Sequence, residues 1–285
     1  MKPSKVAFIT GCSNGLGFAT AVKMIKAGYI VYATMRSLEK KQLLQEACKN
    51  SDSLHVIKLE LTDESAIHDA VDLVVSRHQR IDVLIHNAAA SLLGPADTAT
   101  SAEVEYLFKI NVFSVHKLTQ LFLPQMRKQK AGHLIFISSI SGIESSAYLG
   151  IYAATKFALE ALASSWATTL PEWGIKTTII EPGAMDTNLP SSIALGSYYN
   201  SLPENPYSVF NTNALDFLKK CLKMGAEPMK VADLIIEIIN TSNPHLRYQT
   251  CTFSTELVGK HLHDPKGDRW VEEHRQFIDS FYRKL

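Results

Sequence analysis

An α/β fold, a doubly wound parallel sheet of about seven strands with helices on both faces, is the architecture the sequence predicts. Three observations carry it. Short apolar runs bounded by turn residues alternate with amphipathic helical stretches along most of the chain. The runs are apolar throughout, the pattern of strands buried on both faces. No repeat, low-complexity tract or linker interrupts the 285 residues, so a single domain spanning 1–285 is expected.

The elements follow in order. Val6-Ala7-Phe8-Ile9 reads as the first buried strand, and Thr10-Gly11-Cys12-Ser13-Asn14-Gly15-Leu16-Gly17 as a tight turn. A helix over 18–26 stops at Gly28. A second strand at 29–34 precedes a charged helix at 38–49, and a third strand at 54–59 precedes an amphipathic helix at 64–78. The fourth strand, 81–85, breaks at Asn87-Ala88-Ala89-Ala90, and a helical stretch over 101–128 carries Asn111 near its middle. The fifth strand ends at Ser138, Ser139-Ile140-Ser141-Gly142 breaks the run, and a helix carrying Tyr152 and Lys156 continues to Leu170. The sixth strand, 175–180, ends at Pro182-Gly183.

Beyond Pro182 the pattern degrades. The stretch 185–228 carries Pro190, Gly196, Pro203 and Pro206 among Tyr198, Tyr199, Tyr207 and Phe210, and reads as a substrate loop or lid. A helix near 231–239 and a strand at 246–250 resume the core. A tail over 252–285, with Trp270, Phe277, Phe281 and Tyr282, reads as helical and amphipathic.

Apolar residues make up 46% of the chain and charged ones 20%, with a formal net charge of +1. That balance gives no reason to expect nucleic acid or an anionic membrane as a partner. Cys12, Cys48, Cys221 and Cys251 are widely spaced, as reduced thiols would be. No stretch approaches the ~20 apolar residues of a membrane span. The first residues run straight into a strand, which argues against a signal peptide, so a cytoplasmic location is expected. The histidines show no HExxH or zinc-like grouping, so no metal is expected. Ser139 lacks the preceding glycine of a nucleophile elbow.

The glycine turn lies at the first strand-to-helix junction, where glycines let backbone approach a pyrophosphate and the helix N-terminus stabilises its charge. Thr10, Gly11, Ser13, Asn14, Gly15, Leu16 and Gly17 are therefore cofactor-binding candidates. At the end of the second strand an acid usually meets a free ribose 2′-hydroxyl, whereas an arginine suits a 2′-phosphate. Here the residues are Thr34-Met35-Arg36-Ser37, without an acid, which points to NADP(H) over NAD(H). Glu60 and Leu61 end the third strand on the adenine side; Asn87, Ala88 and Ala89 end the fourth beneath the nicotinamide ribose. Pro182, Gly183 and Thr187 complete the set at the carboxyl ends of strands, where ligands of open α/β sheets bind.

Tyr152 and Lys156 lie four apart on one helix face, and Ser139 stands at the strand end facing that helix. A hydroxyl, a phenol and a cation at one point suit proton transfer at a carbonyl or alcohol oxygen. Tyr-x-x-x-Lys alone is common by chance; the serine thirteen residues earlier and the nucleotide turn upstream give it weight.

Thr10-Gly11-x-x-x-Gly15-x-Gly17, Asn87-Ala88-Ala89, Asn111, Ser139, Tyr152-x-x-x-Lys156 and Pro182-Gly183 together resemble the short-chain dehydrogenase/reductase family across nearly the whole chain. Ala89 departs from it, standing where the family usually has glycine. The resemblance implies a Rossmann-type fold, a nicotinamide cofactor, and catalytic roles for Asn111, Ser139, Tyr152 and Lys156. Asn111 would hold a water that reconnects Lys156 to solvent. Lys156 and the oxidised nicotinamide would lower the Tyr152 pKa from its free value of about 10. Further matches, at 31–36, Leu93-Gly94-Pro95, 156–160, Leu246-Arg247-Tyr248 and Asp264-Pro265-x-Gly267, resemble the branch containing type 1 estradiol 17β-dehydrogenase and photoreceptor-type retinol dehydrogenase. That branch prefers NADP(H) and acts on bulky lipophilic alcohols and carbonyls. Ser139, Leu149, Tyr152, Met185 and Tyr199 are then the expected substrate contacts, and helices 101–128 and 152–170 the surfaces of a homodimer or homotetramer. A reductase of smaller carbonyls, an NADP(H)-binding sensor or scaffold with little turnover, and a structural partner subunit remain open alternatives.

Overall fold

The computed structural model describes residues 4–185, 193–196, 225–263 and 276. Thr187, Tyr199 and most of the expected 185–228 loop lie outside these residues, as does the tail beyond 263 apart from residue 276.

The strands are β1 (Val6–Ile9), β2 (Ile30–Met35), β3 (Leu54–Lys58), β4 (Val83–His86), β5 (Ser91–Leu93), β6 (Gly132–Ile137), β7 (Ile175–Glu181), β8 (Ile193–Leu195) and β9 (Arg247–Gln249). The helices are α1 (Gly15–Lys26), α2 (Lys41–Ala47), α3 (Glu64–His78), α4 (Ser101–Phe108), α5 (Ser114–Gln129), α6 (Gly150–Thr169), α7 (Pro228–Asn240) and α8 (Thr252–Leu262). Seven strands form one sheet in the order β3-β2-β1-β4-β6-β7-β9, every described pair parallel. The predicted doubly wound sheet is the observed one.

Strand periodicity explains how both faces are covered. Successive side chains point to opposite faces. Ala7 and Ile9 of β1 therefore join one apolar cluster with Leu16 and Met24 of α1 and Val231 and Ile235 of α7. Val6 and Phe8 join the other, with Val71 of α3, Phe122 of α5 and Leu159 of α6. All four β1 residues are buried, which is why the run is apolar without alternation. Local signals set several helix starts. Asp63 Oδ1 accepts from Ser65 N (2.9 Å) and Ala66 N (3.2 Å) at the start of α3. Thr100 and Glu103 form a capping box before α4.

The sequence reading missed two features. The expected continuous helix over 101–128 is two helices joined by a widened π turn, Lys109–Phe113, with Asn111 at its centre. A second, two-stranded parallel sheet pairs β5 with β8. Three-residue strands offer no periodicity to read, and a widened turn changes hydrogen bonds without changing composition.

Candidate active site

The sheet's carboxyl edge gathers the residues read from the sequence. At the first junction, Gly11 (φ +73°) and Gly15 (φ +57°) take left-handed backbone conformations that a side chain would strain. A Cβ on Gly11 would also stand 2.8 Å from the Ala88 Cα, and one on Gly17 would collide with Gly11 O and Asn87 Nδ2. These glycines therefore serve chain packing as well as any ligand. Asn14 is the N-cap of α1, but its side chain makes no capping hydrogen bond. The first N–H groups of α1 thus remain available to an anion, which fits a pyrophosphate. Leu16 is buried in the core, so only its backbone is left for a ligand.

Thr10 and Asn87 build this corner. Thr10 Oγ1 accepts from Asn87 N and Ala88 N, each at 3.0 Å. Asn87 Nδ2 donates to Thr10 O (2.8 Å) and Gly11 O (3.0 Å). The Asn87 side chain, expected beneath the ribose, fastens the glycine turn to the end of β4. Glu60 is likewise engaged locally: its Oε1 accepts from Thr62 N (3.1 Å) and Thr62 Oγ1 (3.0 Å). Leu61 packs half-buried between two apolar clusters. Arg36 is exposed at the end of β2, with Nη1 donating to the Tyr106 hydroxyl of α4 at 3.3 Å.

Past β6 the parallel ladder continues into the loop. Ser138 N donates to Ile180 O (2.8 Å) and Ile140 N to Pro182 O (3.0 Å), so Ser139 is fixed between two bonds to the end of β7. Ser139 Oγ accepts from Ser141 N at 3.1 Å, and its hydroxyl also contacts the Tyr152 side chain. On α6, the Lys156 Nζ lies 5.7 Å from the Tyr152 ring centroid and donates to Ile137 O at 2.8 Å. The structure thus brings Ser139, Tyr152 and Lys156 together.

Their electrostatics differ from the expectation. Burial pushes the Tyr152 phenol up to about 12, and a hydrogen-bonding contact with the Ser139 side chain opposes this only in part. Burial pulls Lys156 down to about 8, opposed by the charge of Glu160. In the protein alone, desolvation of the phenolate is the larger effect. The phenol is therefore protonated at neutral pH.

Asn111 is buried and fully engaged. Its Oδ1 accepts from Ala90 N (2.8 Å), and its Nδ2 donates to Ala90 O (2.8 Å) and Thr155 Oγ1 (2.9 Å). The side chain ties the β4–β5 connection to α6. Leu149 is the half-buried N-cap of α6, and Met185 packs half-buried against the core cluster beside Ala226. Gly183 lies against α8, where a Cβ would stand 2.7 Å from Ser254 Oγ.

Sequence reasoning gave no role to the polar residues behind α6: Ser138, Glu160, Glu181 and Arg247. Glu160 follows Lys156 by four residues, a same-face spacing that was readable. Glu181 and Arg247 carry no such signal, because only the β7–β9 pairing brings them together.

Comparison with known proteins agrees with this geometry. Residues 5–196 match the family model described as short chain dehydrogenase. Retinol dehydrogenase 8 of Bos taurus is 29% identical over 94% of this chain and 88% of its own. Human 17-beta-hydroxysteroid dehydrogenase type 1 is 30% identical over 93% of this chain and 83% of its own. The crystal structure of a short-chain dehydrogenase from Streptomyces avermitilis superposes with a TM-score of 0.84 at 31% identity, covering 97% of this chain and 99% of that one. With its seven-stranded parallel sheet and its serine, tyrosine and lysine at the sheet's carboxyl edge, the chain belongs to the short-chain dehydrogenase family and is an oxidoreductase acting on CH–OH groups.

Proposed function

We propose that the chain interconverts an alcohol and a ketone or aldehyde on a bulky lipophilic substrate, using NADP(H). The observation that carries the reading is the convergence of Ser139, a protonated Tyr152 and a buried Lys156 on one point. A bound nicotinamide supplies or accepts the hydride. The residues fitted to hold such a cofactor are Gly11, Gly15 and the open N-terminus of α1 at the pyrophosphate, with Arg36 at the ribose 2′-phosphate. Glu60, Leu61, Ala88, Ala89, Pro182, Gly183 and Thr187 are assigned to the rest of its length.

In reduction, Tyr152 gives its phenolic proton to the substrate oxygen. Ser139 donates to that same oxygen and steadies its developing charge. Lys156, held by Ile137 O, favours the phenolate left behind. Asn111 keeps α6 in register with the β4–β5 connection. In oxidation the same groups act in reverse, but the raised Tyr152 pKa requires added positive charge beside the phenol.

The NADP(H) preference rests on Arg36 and the missing acid at the end of β2. The lipophilic substrate class rests on the aromatic content of 185–228 and on the likeness to retinol and 17-beta-hydroxysteroid dehydrogenases. A homodimer or homotetramer is supported by Phe113 (58% exposed) and Phe157 (41% exposed), which show apolar surface on the helical pair expected to associate. No helix among the described residues is long and apolar enough to cross a membrane; we assign the chain to the cytoplasm.

The test is consumption of NADPH and of NADH against steroids, retinal, aliphatic aldehydes and quinones. Faster turnover with NADPH, on a steroid or retinoid, is expected. Faster turnover with NADH would overturn the role of Arg36, and turnover of small aldehydes alone would overturn the substrate class.

A further inference from the structure

The face of α6 that carries Lys156 continues one turn to Glu160, and both side chains are buried, at 2% and 5% exposure. Glu160 Oε2 and Glu181 Oε1 each lie 3.1 Å from Arg247 Nε. Arg247 Nη2 donates to Ser164 Oγ at 3.1 Å, and Gln249 Nε2 donates to Glu181 Oε2 at 2.5 Å. Two buried carboxylates thus share one guanidinium reaching in from the edge strand β9. On its other side Glu160 reaches the catalytic loop: a Cβ on Gly142 would stand 2.6 Å from Ser138 Oγ and 3.2 Å from Glu160 Oε1. Ser138 sits between Ser139 and Ile137, whose carbonyl receives the Lys156 ammonium.

The charged groups acting on Glu160 are Glu181 from β7 and Arg247 from β9, with the Ser138 hydroxyl from the loop after β6. The charged group acting on Lys156 is Glu160. A buried amine tends to lose its proton unless an opposite charge compensates. We propose that Glu160 is a positioning residue for Lys156: its carboxylate, anchored by Arg247, keeps the buried amine in the ammonium form that proton transfer by Tyr152 needs. Burial raises the Glu160 carboxyl to about 7 and lowers the Lys156 amine to about 8. The two groups titrate close together, so the charge state of one bears on that of the other.

The purpose of that ammonium rests on the oxidoreductase reading above; the charge coupling is a property of the free protein and is tested there. Lysines labelled with 13C at Cε are titrated by NMR in cofactor-free protein, the Lys156 resonance being assigned by its loss in Lys156→Met. The unmodified protein is expected to show the lysine's own titration and a smaller inflection where Glu160 ionises. Glu160→Gln removes that inflection and moves the lysine's titration down by about 1 unit, whereas Glu160→Asp, which keeps the charge, restores both. The alkaline limb of the carbonyl-reduction profile moves with the lysine. A folded Glu160→Gln whose Lys156 titrates where the unmodified protein's does overturns the proposal. So does a single inflection in the unmodified protein, an outcome that needs no variant to fold.

Discussion

The corner between β1 and α1 and the unit from β6 to α6 meet at one sheet edge but are built on different principles. The first is made of backbone: its glycines create the turn, and Thr10 and Asn87 hold main-chain atoms in place. The second is made of buried charge. Lys156, Glu160 and Glu181 are buried, with the half-exposed Arg247 paired to both carboxyl groups, and burial shifts the titration of the three buried groups. A backbone site fails when a side chain intrudes; a charge site fails when a proton moves.

Four variants sharpen this contrast. The largest effect is expected from Tyr152→Phe, which keeps the ring and removes the proton. Steady-state turnover should fall at least about 100-fold while cofactor affinity is retained. A Phe variant near wild-type turnover would refute proton donation by Tyr152. Next is Gly17→Ala, whose methyl group would press on Gly11 O and Asn87 Nδ2. Overpacking of this kind costs about 1–3 kcal/mol; thermal unfolding and cofactor titration should both deteriorate, whereas a purely ligand-side role would weaken only binding. Arg36→Ala should weaken NADPH binding by about tenfold, the loss of one charge-assisted hydrogen bond, and leave NADH binding unchanged in a fluorescence titration.

The most conditional effect belongs to Glu144, since it appears only above the carboxyl's unfolded pKa. Glu144 is buried just after the loop that carries Ser139, its Oε2 has no hydrogen-bond partner among the described residues, and burial raises its carboxyl to about 7. A carboxyl whose folded pKa is raised contributes stability at low pH and loses it as pH rises through the folded value. Glu144→Gln should therefore gain stability relative to wild type between pH 4.5 and 7, by on the order of 3 kcal/mol at most. Melting temperatures at pH 4 and pH 8 measure the difference, and an equal gap at both would exclude the buried ionisation. His86 and His133 work in the opposite sense. Both are lowered to about 3 by burial, so acidification from about 6.5 towards 3 favours the unfolded chain, which alone takes up their protons.

The glycine corner was readable because its chemistry is local: Gly11, Gly15 and Gly17 stand between a strand and a helix. Ser139, Tyr152 and Lys156 were readable by spacing along a strand and a helix face. Glu60 and Asn87 were read as cofactor contacts from their places at strand ends, and the structure adds that their side chains also hold turns. Which neighbour claims a polar side chain depends on competing donors brought in by other segments, and spacing does not contain them.

The sequence by itself determined the parallel sheet, the order of its turns and the groups proposed for proton transfer, because periodicity and glycine placement act over a few residues. Tertiary structure alone decided how those groups are charged. The pairing of β7 with β9 encloses Arg247 between Glu160 and Glu181, and the loss of water around Tyr152 and Lys156 shifts both pKa values. Desolvation is a property of everything packed around a group, and no stretch of chain carries that information alone.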